Sequence, residues 1–229
     1  ARPRELAGTG VATLTRDPYA IYARHILRLF PLDPLSGRPD ARLRGEILHD
    51  IVEHFVRDRP PVETLAGAEA RLLALSDHLL AVKVPWPGAQ RMWRARIARI
   101  AGLFVAAEAI RAARGHPVVL EEKGAVLVDE SGFTLTARPD RIDLLADGRV
   151  HIYDYKSGNP PSPKQQRSFD KQLLLEAAMA ERGAFGAIGP CTVEGATYIR
   201  LGGGGREARV EISPEILDET WRSLGRLIA

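Results

Sequence analysis

Apolar residues recur at helical spacing through the first half of the chain and at alternating spacing after it. Ile21, Tyr22, Ile26, Leu27 and Phe30 predict a helix over 13–30, ended by the loop from Pro31 to Pro39. Leu43, Ile47, Leu48, Ile51, Val52 and Phe55 mark a second over 41–57, stopped by Pro60 and Pro61. Leu65, Leu72, Leu73, Leu75 and Leu79 give a third, broken at Pro85-Trp86-Pro87-Gly88. Trp93, Ile97, Ile100 and Phe104 lie on one face of a long helix reaching about Arg114. From Pro117 the period becomes that of strands. Val118 to Val128, Phe133 to Leu145 and Arg149 to Lys156 read as three successive strands, followed by a helix over 169–182 with Gly183 as its C-terminal cap. Thr192 to Leu201 and Glu207 to Ile212 read as a strand pair around the glycines at 202–205, and a helix begins at Pro214. The expected class is α/β, a mixed sheet flanked by helices with an N-terminal helical lobe. Residues 1–116 form the helical part and 117–229 the core, together one domain.

Composition narrows the setting. The 229 residues suffice for a sizeable core, and the chain, which starts at Ala1, is expected to be a piece of a longer protein. One cysteine, Cys191, excludes an internal disulfide and any cluster held by several thiolates of this chain, so a reducing, cytoplasmic setting is expected. No apolar run approaches the roughly 18 residues of a membrane helix. Net charge is +3, and only five of the 32 basic residues are lysines. Arginine's planar fork suits phosphate, although a general arginine bias gives the same excess. Arg91, Arg94, Arg96 and Arg99 on the long helix either track a phosphate backbone or form a solvated face. The glycines at 202–205 are a hairpin loop, since no Gly-Lys-Ser/Thr follows and no helix begins there.

The chemistry concentrates between residues 137 and 156. In Val150-His151-Ile152-Tyr153-Asp154-Tyr155-Lys156, alternation puts Asp154 and Lys156 on the face of Ile152. An isolated Asp-x-Lys is usually a solvated strand-end ion pair. Asp140, at the end of the preceding apolar segment, changes that reading. Two carboxylates converging on one point repel unless a cation or a shared proton intervenes. Convergence depends on register. A two-residue Asp147-Gly148 turn would put Asp140 and Asp154 on opposite faces, whereas a three-residue loop with Gly148 left-handed sets them across from each other and Ile142 across from Ile152. Function selects the second, or a bulge at Pro139 with the same effect. His49 sits at the edge of its helix's apolar face, one turn after Gly45, where a glycine implies a close approach to the backbone. Alone it reads equally as a boundary histidine. Gln172 and Glu176 share a helix face at i, i+4, and Glu121 and Glu122, ending a strand segment, are assigned a structural role.

Taken in order, Gly45-x-x-x-His49, Pro139-Asp140, Asp154-Tyr155-Lys156 and Gln172-Leu173 resemble the RecB-like branch of the PD-(D/E)xK nuclease superfamily. Asp17 to Ala23, Arg138 to Asp143 and Gln172 to Ala178 are similar to the C-terminal nuclease domains of AddB-type helicase–nucleases in particular. The resemblance implies a restriction-endonuclease-like core and a DNA exonuclease of double-strand-break repair, working on single-stranded or unwound DNA beside a helicase partner subunit. It implies Mg²⁺ or Mn²⁺ held by His49, Asp140, Asp154 and the Tyr155 carbonyl. Lys156 would position or deprotonate the attacking water, and Gln172 would join the catalytic set. Two departures follow. Many relatives hold an iron–sulfur cluster on four cysteines, but here Asp17 precedes Pro18-Tyr19 and only Cys191 remains, so no cluster is expected. The Gln-x-x-x-Tyr pattern reads Gln172-x-x-x-Glu176. The alternative from another class is a catalytically silent scaffold that binds DNA and a partner subunit.

Overall fold

The computed structural model describes residues 3–32, 37–128, 132–168, 170–202 and 206–228. A short strand β1 (Glu5–Ala7) leads into helices α1 (Gly8–Arg16) and α2 (Pro18–His25). One continuous helix over 13–30 was expected, but Asp17 and Pro18 divide it. Pro18 at the first helical position cannot carry the preceding helix through, and the Asp17 side chain accepts the Ala20 N–H to start a new one. Three long helices follow as expected from the apolar spacing, α3 (Ala41–Arg57), α4 (Leu65–Lys83) and α5 (Pro87–Arg114). The glycines 203–205 of the expected hairpin loop lie outside the described residues.

The segments expected as two long strands are four. β2 (Gly115–Leu120) and β3 (Gly124–Leu127) part at Glu121, whose φ of 52° no strand accommodates. β4 (Thr134–Ala137) and β5 (Arg141–Leu145) part around Pro139, which cannot donate to a ladder. The chain thereby changes sheets twice. β1, β4 and β3 form a three-stranded sheet, while β2 and β5 join β6 (Val150–Lys156), β7 (Val193–Arg200) and β8 (Glu207–Val210) in a five-stranded one ordered β2-β5-β6-β7-β8. β6 and β7 run parallel and the other neighbours antiparallel, so the sheet is mixed. The parallel pair needs a crossover, supplied by α6 (Pro163–Ser168) and α7 (Gln172–Glu181), and α8 (Pro214–Ile228) ends the fold.

The two faces of the five-stranded sheet bury different cores. Ile142, Ile152, Ala196 and Tyr198 pack with α7 and α8 residues such as Leu173, Met179, Leu217 and Leu224. Leu6, Val11 and Ile21 belong to this same core, so the first elements pack against the C-terminal half. On the other face Tyr153, Tyr155, Ile199 and Leu201 meet Ile47, Ile51, Phe55, Trp93, Ile97 and Phe104 of the long helices. Alternation along β6 therefore divides its residues between two hydrophobic environments.

That second face also buries charge. Arg141, 1% exposed, donates to both oxygens of Asp143 at 2.6 Å and to Glu108 Oε2 at 2.7 Å, and its Nη1 lies 3.2 Å from the Tyr155 hydroxyl. Arg111 donates to Glu108 Oε1 at 2.7 Å. Burial alone would raise the Glu108 pKa, but the two guanidiniums outweigh it and hold the carboxyl below its ordinary range. The network ties α5 to β5 and fixes Tyr155 from the side opposite Asp154.

Candidate metal centre

The hairpin between β5 and β6 has the three-residue loop. Leu145 N–H donates to Arg149 O at 2.8 Å, Gly148 N–H to Leu145 O at 3.0 Å, and Gly148 has φ 81°. Ile142 pairs with Ile152 and Arg141 with Tyr153, so the ladder delivers Asp140 at the level of Asp154. Pro139 lies in the sheet-to-sheet passage, not in a bulge. Its carbonyl accepts the Glu121 N–H at 3.1 Å, and the Asp140 carboxylate turns to accept the Tyr155 N–H at 2.6 Å.

α3 presents His49 to this point. Its Nδ1 lies 3.4 Å from Asp140 Oδ1 and 3.9 Å from Glu121 Oε1. Each of the three offers a ligand atom within 4.8 Å of the other two. A structural role was expected for Glu121, yet the turn at its positive φ aims its carboxylate into the centre. Non-glycine residues held in that conformation cost on the order of 1–3 kcal/mol and cluster at functional sites. Arg138 Nε, 3.1 Å from Glu121 Oε2, braces it from the solvent side. Nothing in local sequence distinguishes Glu121 from Glu122; only the sheet change does. The close approach expected at Gly45 is also present, since a Cβ there would stand 3.3 Å from Ser157 Oγ.

Asp154 is 2% exposed, on the face turned to α7. Gln172 Nε2 donates to Asp154 Oδ1 at 2.8 Å and to Glu176 Oε1 at 3.2 Å, while Gln172 Oε1 accepts from Lys156 Nζ at 3.1 Å. Lys156 Nζ lies 2.8 Å from Asp154 Oδ2. Gln172 thus fixes both members of the Asp-x-Lys motif, and the departure at Glu176 adds a second buried carboxyl beside Asp154.

Burial and mutual repulsion strain this gathering of acids. Burial, then the Asp140 charge, pushes Asp154 up to about 7 against the pull of Lys156 and His49. Burial raises Glu176 well above the carboxylate range, aided by Asp154. Burial disfavours a charged His49, but Asp140 and Glu121 override it and raise the imidazole to about 10. Burial likewise works against Lys156, and Asp154 more than compensates, leaving the ammonium charged. Glu176 Oε2 is buried without a hydrogen-bond partner, and Asp154 Oδ2 has only the misaligned Lys156 contact. Orphaned buried carboxylate oxygens beside a His-Glu-Asp cluster fit a hard divalent cation. A cleft of about 560 Å³ opens on this centre between α1, Glu121, Arg138, Gln172 and Glu176.

The family model of the PD-(D/E)XK nuclease superfamily matches residues 5–227 of the chain. An uncharacterized protein of Rickettsia bellii (strain RML369-C) is 24% identical over 186 residues, 80% of this chain and 22% of that protein. A similar match joins the chain to protein RT0391 of Rickettsia typhi, 24% identical over 189 residues. An ATP-dependent helicase/deoxyribonuclease subunit of Streptococcus equi subsp. zooepidemicus (strain H70) is 27% identical over 157 residues, 68% of this chain and 14% of that protein. The chain spans 22% or less of the length of the R. bellii and S. equi proteins.

Proposed function

We propose, on the premise that this chain belongs to the PD-(D/E)XK nuclease superfamily, that it is a divalent-metal-dependent exonuclease domain that hydrolyses DNA within a double-strand-break-repair helicase–nuclease. The carrying observation is the placing of His49, Glu121 and Asp140 within 4.8 Å of one another, next to an Asp154-Lys156 pair locked by Gln172. The mixed sheet flanked by helices is the restriction-endonuclease-like architecture of that superfamily. The helicase context and a helicase partner are supported by the likeness to the S. equi helicase/deoxyribonuclease subunit, whose name joins the two activities.

His49, Glu121, Asp140 and Asp154 would hold the cation, with the Tyr155 carbonyl as a further oxygen. A mainly carboxylate set suits Mg²⁺ or Mn²⁺. When bound, the ion supplies Lewis acidity, lowering the pKa of a water and drawing charge from the phosphoryl oxygens. The residues do the rest. His49 must give up its proton to serve as a ligand. Lys156, charged and held against Asp154 and Gln172, would orient the attacking water and offset negative charge as the phosphate becomes five-coordinate. Gln172 keeps Asp154 and Lys156 in register for both tasks, and Tyr155 N–H fixes the second Asp140 oxygen.

The test is cleavage of end-labelled single- and double-stranded DNA with Mg²⁺, with Mn²⁺ and with EDTA. Cleavage restored by either ion after EDTA, and lost in Asp140→Ala, Asp154→Ala and Lys156→Ala, is the expected result. DNA binding without cleavage under every condition would identify a silent scaffold instead.

A further inference from the structure

Most arginines on the helical layer have carboxylate partners. Arg57 pairs with Glu53, Arg71 with Glu63 and Arg94 with Asp77. Four arginines break that habit together. Arg44 of α3, Arg96 and Arg99 of α5 and Arg200 at the end of β7 line one groove of about 480 Å³, and none has a carboxylate partner among the described residues. Arg200 Nε is buried with no hydrogen-bond partner. Between the guanidiniums lie Leu48, Ile100 and Leu103, the last 62% exposed. Like charges gathered over apolar surface repel one another and bind water poorly, an arrangement that a polyanion with apolar faces relieves.

The groove adjoins the metal centre. Ser157, which lines it, directly follows Lys156, and Arg44 and Leu48 flank Gly45 and His49 on α3. A chain of phosphates in the groove therefore runs beside Gly45 and Ser157, along the His49 side of the candidate metal centre. A duplex buries its base faces in the stack and has no use for exposed Leu103; an unpaired strand offers those faces together with its phosphates.

We propose that this groove seats a single DNA strand beside the metal centre, its phosphates on Arg44, Arg96, Arg99 and Arg200 and its base and sugar faces on Leu48, Ile100 and Leu103. The identity of the strand as DNA rests on the nuclease reading, but the groove is tested apart from turnover. Fluorescence anisotropy in EDTA measures binding of a short labelled single strand, and of the matching duplex, across a salt series. Arg96→Ala/Arg99→Ala is expected to weaken single-strand binding about tenfold or more and to lower the log–log salt slope by about 1.4, two lost phosphate contacts at roughly 0.7 each. Arg96→Lys/Arg99→Lys should keep most of the slope, because charge sets it. The charge-matched pair Arg222→Ala/Arg226→Ala on α8 should keep the wild-type affinity and slope. The groove variant binding like wild type, the α8 pair losing as much as the groove pair, or the duplex binding more tightly than the single strand would each overturn the proposal. Arginine-dependent binding without cleavage in either Mg²⁺ or Mn²⁺ would sink the nuclease reading and leave the groove standing.

Discussion

Asp154 is the residue on which the site's energetics turn. Its pKa in the metal-free fold, about 7, lies above its unfolded value, so its contribution to stability is complete below about pH 4 and is lost as pH rises through 7. Asp154→Asn is therefore expected to be the more stable protein in EDTA at pH 8, by on the order of 2 kcal/mol, with the difference vanishing near pH 4. Urea unfolding at the two pH values measures this; equal stability at pH 8 would mean that no carboxylate strain is stored there. Gln172 is a positioning residue, touching Asp154, Lys156 and Glu176. Gln172→Ala should cost about 10–100-fold in metal affinity, as loss of an outer partner usually does. Glu121→Gln should cost at least as much, and Glu122→Gln nothing, by calorimetric Mn²⁺ titration. Equal effects of the two would remove Glu121 from the centre.

At the scale of elements, the register of the β5–β6 hairpin decides whether Asp140 and Asp154 meet at all. Its anchor is the left-handed Gly148, where a Cβ would meet nothing within 4 Å, so a substitution there suffers backbone strain alone. Gly148→Ala is expected to destabilise by about 1–2 kcal/mol without moving the register, a loss read by thermal unfolding. The Arg141 network carries more. Arg141→Met leaves Asp143 buried without its cation and Glu108 with Arg111 alone, and breaking a buried pair on one side costs about 3–5 kcal/mol. Loss of under 1 kcal/mol in urea unfolding would show that the network is not what joins α5 to β5.

Across the molecule, two hydrophobic cores share one sheet, and β6 feeds Ile152 to one and Tyr153 and Tyr155 to the other. Neither core can lose its sheet face without exposing the other, so unfolding should be a single cooperative transition. Trp93 reports the helical core and Trp221 packs on the opposite one. Chains keeping only one of these tryptophans should show coincident fluorescence midpoints, and separate midpoints would mean that the helical part folds on its own.

Residue order was enough to set the long helices and the change from helical to alternating period at residue 117, to limit the β5–β6 hairpin to two registers, and to single out Asp140, Asp154 and Lys156 as candidates. Each of these is local, carried by spacing along one element or by the conformation of one glycine. The breaks at Glu121 and Pro139 were not legible as changes of partner, because period-2 alternation continues across a strand that leaves one sheet for another. Arg141 and Asp143 likewise stand in the sequence as surface-type residues on an apolar strand. Their mutual pairing, completed by Glu108 of α5 with Arg111 beside it, makes that burial tolerable. Glu121 came to lie beside His49 and Asp140, and four arginines from three elements faced one groove, for the same reason. Contacts between residues far apart in the chain are set by how helices and sheets pack, and packing leaves no period in the sequence.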